Sequence, residues 1–208
     1  MKKRTHYRMS QLILKHIEDK APHLLPSIGY QRVFLWGSVE PDLSITQFTT
    51  PHFWNKSKNK IYAKIDELFQ KEELSMWDMY QMGRLCHYLS DFCCYAHIDD
   101  RIGNPKDHVL YELGLQNYLF SHVEEFSRGR ILLEPTVDFI PFTDALICEY
   151  RKGESNYARD IELAMTLSGM FVYNLLLGEN VVDPIKDLEE LISLFLTQLE
   201  LNPAPQGI

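Results

Sequence analysis

Ser75-Met-Trp-Asp78-Met-Tyr-Gln-Met-Gly-Arg-Leu-Cys86-His87-Tyr-Leu-Ser-Asp91-Phe-Cys93-Cys94-Tyr95 is the stretch whose reading decides the fold. Ser75 followed three residues later by Asp78 has the form of a capping box, so a helix opens here and runs to about Tyr95. Leu85, Cys86, Leu89, Phe92 and Cys93 surround His87 and Asp91 with apolar neighbours. His87 and Asp91 stand four residues apart and leave one helix face about a turn from each other. Polar groups on a partly apolar face need partners, because unpaired buried charge is expensive. A metal ion is one such partner. A single His-x-x-x-Asp is more often surface polarity or a satisfied core pair, so the pair needs company before it carries chemistry.

The rest of the chain reads as helix in both directions. Met9, Leu12, Ile13, His16 and Ile17 recur at three- and four-residue spacing on a first helix that Pro22 and Pro26 end. Val33-Phe-Leu-Trp36 is an apolar run stopped by Gly37 and Pro41, with Asp42 in the loop beyond. A second long helix is expected from near Pro51 to about Lys71. After Gly103, Asn104 and Pro105 break the chain, another carries His108 and Glu112 to about Ser127. Pro135, Pro141, Gly153 and Pro184 punctuate three more helical segments. Alternating strand patterns with Asn-Gly or Asp-Gly turns are absent. The prediction is an all-α, single-domain bundle of about seven helices over residues 1–201, with a loose tail at 202–208.

Composition narrows the partners. The 208 residues suit one domain, and 45% hydrophobic content is enough for a sizeable core. A formal charge of −8 repels phosphate backbones, so no stable nucleic-acid partner is expected. The most apolar segment, Ile161 to Leu177, carries Glu162 and Asn174 and is shorter than the ~20 residues of a membrane span. It reads as a central buried helix. No helix shows a broad apolar stripe with basic flanks, the pattern of a membrane-seeking surface. Met1-Lys-Lys-Arg4 is not followed by an apolar signal region, which predicts a cytoplasmic protein. Cys86, Cys93, Cys94 and Cys148 form no Cys-x-x-Cys pair and read as free buried thiols.

His108 and Glu112 repeat the four-residue device of His87 and Asp91 on the next helix, with His97 between the two pairs. Such pairs on neighbouring helices can converge inside a bundle. Imidazole nitrogen and carboxylate oxygen without thiolate suit a catalytic zinc.

The order and spacing of these five residues resemble the signature of the bacterial zinc-dependent phospholipases C and the related fungal single-strand nucleases. The likeness extends upstream to Thr5-His6, to Gly37-x-x-x-Pro41-Asp42 and to Pro51-His52. The resemblance implies an all-helical, zinc-dependent hydrolase of phosphate esters, a phospholipase C-like phosphodiesterase that uses a metal-activated water. It implies one zinc on Asp42, His52, His87 and Asp91, a second on His97, His108 and Glu112, and a third on His6 and the other oxygen of Asp91. In that family an N-terminal tryptophan completes the third site, and this chain has none. Two outcomes stay open: the α-amino group of Met1 is the missing ligand, or the enzyme holds two zinc ions and has a disordered N-terminus. Asp42 is the candidate general base. The implied substrate is a phosphate ester, with a phospholipid headgroup as one form of it. Leu43 follows the loop aspartate where choline-preferring members carry an aromatic, and Lys2, Lys3 and Arg4 stand where a carboxylate helps bind choline. An anionic ester fits these residues at least as well. A single-strand nuclease and an inactive metal-binding protein of the same fold are the competing readings.

Overall fold

Side-chain caps set where several helices begin. In the computed structural model the Ser75 hydroxyl accepts from the Asp78 amide, and the Asp78 carboxylate accepts from the Ser75 amide at 2.9 Å. The expected capping box is present. Asn104 caps the helix that Pro105 opens, and Asn156 caps another through the Arg159 amide. The structure describes residues 1–43, 50–98, 102, 104–129, 131–136, 138–154, 156–178 and 193. Eight α-helices lie among these: α1 (Lys3–Lys20), α2 (Ile28–Gly37), α3 (Trp54–Phe69), α4 (Met76–Phe92), α5 (Pro105–Ser121), α6 (Val123–Arg128), α7 (Phe139–Lys152) and α8 (Tyr157–Leu177). Short 3₁₀ turns at Glu40–Asp42 and Tyr95–His97 hold two of the candidate ligands. The described residues form no β-strand. Apart from residue 193, the segment after Pro184 and the tail at 202–208 lie outside the described residues.

Helix α8 is the spine. It is long and apolar enough to cross a membrane by length and composition, yet 83% of that span is buried inside the protein. It packs against α4, α1 and α5. Two of its polar residues are engaged there: Asn174 accepts from the Thr136 amide and donates to the Glu134 carbonyl, while Ser168 meets Ser90 of α4 at 3.2 Å. Helices α2 and α4 approach until backbone meets backbone. A Cβ on Gly83 would overlap the Phe34 carbonyl oxygen, and one on Gly37 would overlap that of Tyr80. This contact sets the Asp42 turn, just past α2, against the His87 face of α4.

Two expectations need correction. The helix expected to reach Ser127 ends at Ser121, and His122 leaves the helical region (φ −112°, ψ 20°) before α6 restarts. The His122 ring packs on Tyr118 and its Nδ1 lies 2.9 Å from the Tyr118 carbonyl, a local bond that competes with helix continuation. Of the four free cysteines, Cys148 is exposed rather than buried, because it falls on the outer face of α7.

Candidate metal centre

Eight side chains from separate parts of the chain meet at one end of the bundle. The i, i+4 pairs behave as expected: His87 Nε2 lies 3.2 Å from Asp91 Oδ2 on α4, and His108 Nε2 lies 3.3 Å from Glu112 Oε1 on α5. The Tyr95–His97 turn brings His97 Nε2 to 3.0 Å from Glu112 Oε1. His52 reaches in ahead of α3, with Nδ1 2.8 Å from Asp91 Oδ2. Asp42 Oδ1 lies 3.7 Å from His87 Nε2 and 4.0 Å from His52 Nδ1. From α1, His6 Nε2 comes to 3.3 Å from Asp91 Oδ1.

Asp91 is the hub, and its two oxygens divide the site. Oδ2 faces His52 and His87, while Oδ1 faces His6, His97 and the α-amino nitrogen of Met1. That nitrogen also lies 3.0 Å from His97 Nε2 and 3.1 Å from Glu112 Oε1. Met1 is packed inside, 3% exposed, rather than loose. Every residue singled out from the sequence therefore converges here. Four overlapping groups have ligand atoms within 4.8 Å of one another: His6–His87–Asp91, Asp42–His52–His87, His52–Asp91–His97 and His97–His108–Glu112.

The donor set fits metal. His6 is buried and neither of its ring nitrogens has a hydrogen-bond partner, an expensive state for an imidazole unless something else fills it. His52 Nε2 is likewise buried without one. His87 and His97 are oriented from behind: the Nδ1 atoms lie 3.0 Å from the Ser38 carbonyl and 3.1 Å from the His52 carbonyl, leaving Nε2 to face the carboxylates. A backbone carbonyl on the far nitrogen is the usual way a ligating histidine is held.

Protonation states of His6, His97, Asp91 and Glu112 point the same way, while at His52 burial is overcome by the Asp91 hydrogen bond and charge, which raise it. Burial, reinforced by neighbouring His87, pushes the His6 imidazole down to about 3, so it is neutral. Burial also lowers His97. For Asp91, burial opposes ionisation but is outweighed by His97, the Met1 ammonium, His6 and His87, which hold it well below the usual carboxylate range. Burial opposes ionisation of Glu112 too, and hydrogen bonds from His108 and His97 overcome it. Neutral imidazoles beside ionised carboxylates are the forms that bind metal. Burial disfavours the Met1 ammonium as well, yet Asp91 and Glu112 raise it to about 11. A buried cation held among these carboxylates shows that the pocket favours positive charge.

A cleft of about 580 Å³ opens onto this cluster, with Lys2, Lys3 and Phe53 at its rim beside Asp42 and His108. Lys2 Nζ pairs with Glu112 Oε2 at 3.0 Å. Behind the cluster, buried Asp160 of α8 accepts from the Tyr95 amide (2.8 Å), the Tyr111 hydroxyl (2.9 Å) and the Tyr150 hydroxyl (2.5 Å). It thus ties down the His97 turn and the residue next to Glu112. Sequence reading missed Asp160 and Ser38. Asp160 has no ligand spacing, and Ser38 acts through a carbonyl that every residue carries.

Fold and site together define an all-helical protein whose buried histidines and carboxylates are set to hold transition-metal ions of the zinc type. The chain belongs to the zinc-dependent phospholipase C family, whose sequence model matches residues 5–166, more than half of its length. No curated protein and no solved structure matches the chain.

Proposed function

We propose that the protein is a zinc-dependent hydrolase of phosphate esters, acting as a phospholipase C-like phosphodiesterase. The observation that carries this reading is the convergence of five histidines and three carboxylates in one cluster, part of which lines the cleft, with neither ring nitrogen of His6 hydrogen-bonded. Asp42, His52, His87 and Asp91 Oδ2 are assigned to one ion, and His97, His108 and Glu112 to a second. His6, Asp91 Oδ1 and the Met1 amine are assigned to a third. Bound zinc supplies charge neutralisation for the phosphoryl oxygens and a water whose pKa falls towards ~7.

The chain's own residues do the rest. Asp42 stands on its 3₁₀ turn at the cleft with its side chain 21% exposed, and burial raises its pKa. A carboxylate so placed can take the proton of an attacking water. Lys2 and Lys3 at the rim favour an ester whose alcohol or headgroup brings further negative charge.

Zinc per chain, hydrolysis of bis-p-nitrophenyl phosphate and hydrolysis of phosphatidylglycerol, measured on one preparation, test the proposal. Two or three zinc ions and turnover on both esters are expected. Asp42→Asn should lower kcat by roughly 10²–10⁴-fold, the usual worth of a general base. Cleavage confined to unpaired DNA or RNA, or bound zinc without any turnover, would sink the phospholipase reading. Adding one residue ahead of Met1 tests the amine alone, which is not a ligand if zinc content is unchanged.

A further inference from the structure

The outer face of α5 exposes a run of apolar side chains, interrupted by Asn117, where a solvent-facing helix is normally polar. Val109 (43% exposed), Leu110 (53%), Leu113 (40%) and Phe120 (40%) all open to solvent along it. Spacings of three, four and seven residues put Val109, Leu110, Leu113 and Phe120 on one stripe. The stripe begins one residue from His108 at the metal cleft.

The start of α1 lies beside it. Lys2 reaches Glu112, and the Arg4 guanidinium lies 5.1 Å from the centre of the Phe120 ring. Lys3, Arg4 and Arg8, with Tyr7, Leu43 and Phe120, line a groove of about 460 Å³, and Lys3 lines the metal cleft as well. In a chain of net charge −8, residues 1–17 hold five basic side chains and no acidic one. Among the described residues Lys3, Arg4 and Arg8 pair with no carboxylate. An apolar stripe with a basic flank is thus present, assembled from two helices and a turn.

We infer that this face docks the protein on an anionic phospholipid bilayer. Lys3, Arg4 and Arg8 meet lipid phosphates, while Leu110, Leu113, Phe120, Tyr7 and Leu43 seat among the upper acyl carbons. Charge complementarity selects this occupant: lipid phosphates oppose the basic residues, whereas a symmetric pair of copies would set Lys3, Arg4 and Arg8 against themselves. Docked this way, the mouth of the metal cleft faces the membrane. The purpose of the surface rests on the phospholipase reading, but the binding itself does not.

Co-sedimentation of the zinc-loaded protein with phosphatidylglycerol and with phosphatidylcholine vesicles tests this, with bis-p-nitrophenyl phosphate hydrolysis run in parallel. Binding to phosphatidylglycerol, weakened by salt, with little binding to phosphatidylcholine, is expected. Arg8→Ala should weaken partitioning about fivefold, the worth of one cation near an anionic surface. The double variant Leu110→Ser/Leu113→Ser should weaken it further, and both variants should keep the wild-type rate on the soluble ester. Equal binding to the two vesicle types, or partitioning untouched by both variants, would overturn the inference even if the soluble ester is cleaved. Vesicle binding by a protein that cleaves no ester would uphold the surface and remove the phospholipase reading instead.

Discussion

Asp160 shows how a residue far from the ligands can govern them. Its carboxylate holds the Tyr95 amide and the Tyr111 hydroxyl, so it fixes both the turn that presents His97 and the helix face that presents Glu112. Asp160→Asn keeps the size but replaces one acceptor oxygen by a donor, leaving at least one of these donors opposed. Zinc at the His97–His108–Glu112 group should bind roughly 10–100-fold more weakly, the usual cost of disturbing groups behind a ligand. Cobalt substitution reads this directly: an altered d–d spectrum, with stability restored but not surpassed by Asp160→Glu, marks a positioning role. An unchanged spectrum and unchanged metal affinity would leave Asp160 a purely structural residue. At this scale the sequence is informative where ligands share a helix. The His87/Asp91 and His108/Glu112 pairs announce themselves by spacing, whereas Asp42, His52 and His6 were legible only through family resemblance. Asp160 and the Ser38 carbonyl were not legible at all, since their partners lie on other elements.

Helices with strong start signals were legible. Ser75, Pro105 and the apolar run from Ile161 each mark an element that the structure contains. Helix α2 was not, because four consecutive apolar residues read equally as a buried strand or a piece of helix. What decides it is tertiary: α2 lies against α4 through Gly37 and Gly83, and only a helix without a Cβ at those positions can come so close. The opposing atoms are backbone carbonyl oxygens, which cannot swing away as a side chain would. Gly83→Ala should therefore cost about 1–3 kcal/mol despite alanine's better helix propensity, as overpacking does. Denaturant unfolding checks the sign, and a stabilised variant would mean that α2 and α4 slide apart freely. The same displacement moves the Asp42 turn away from His87, so kcat should fall in the folded variant more than zinc content does.

Over the whole molecule, the buried carboxylates of the metal site, Asp91 and Glu112, are matched to cationic partners, and the half-buried Glu162 is the contrast. It sits on the spine helix α8, and burial alone raises its pKa from 4.5 to about 7. A carboxyl whose folded pKa lies above its unfolded value favours the fold most when neutral. That contribution is complete below about pH 4.5 and is lost as the pH rises through about 7. Ionised Glu162 therefore destabilises the native bundle under neutral and alkaline conditions, less than full burial would because part of it is hydrated. Glu162→Gln removes the titration and keeps the shape. Its melting temperature should match the wild type near pH 4.5 and pull ahead between pH 6 and 8, each 1 kcal/mol gained giving about 2–4 °C in a chain of this size. Paired melts across that range decide the matter. A difference that stays constant with pH would show that Glu162 titrates alike in folded and unfolded chains, and that α8 tolerates its charge through hydration.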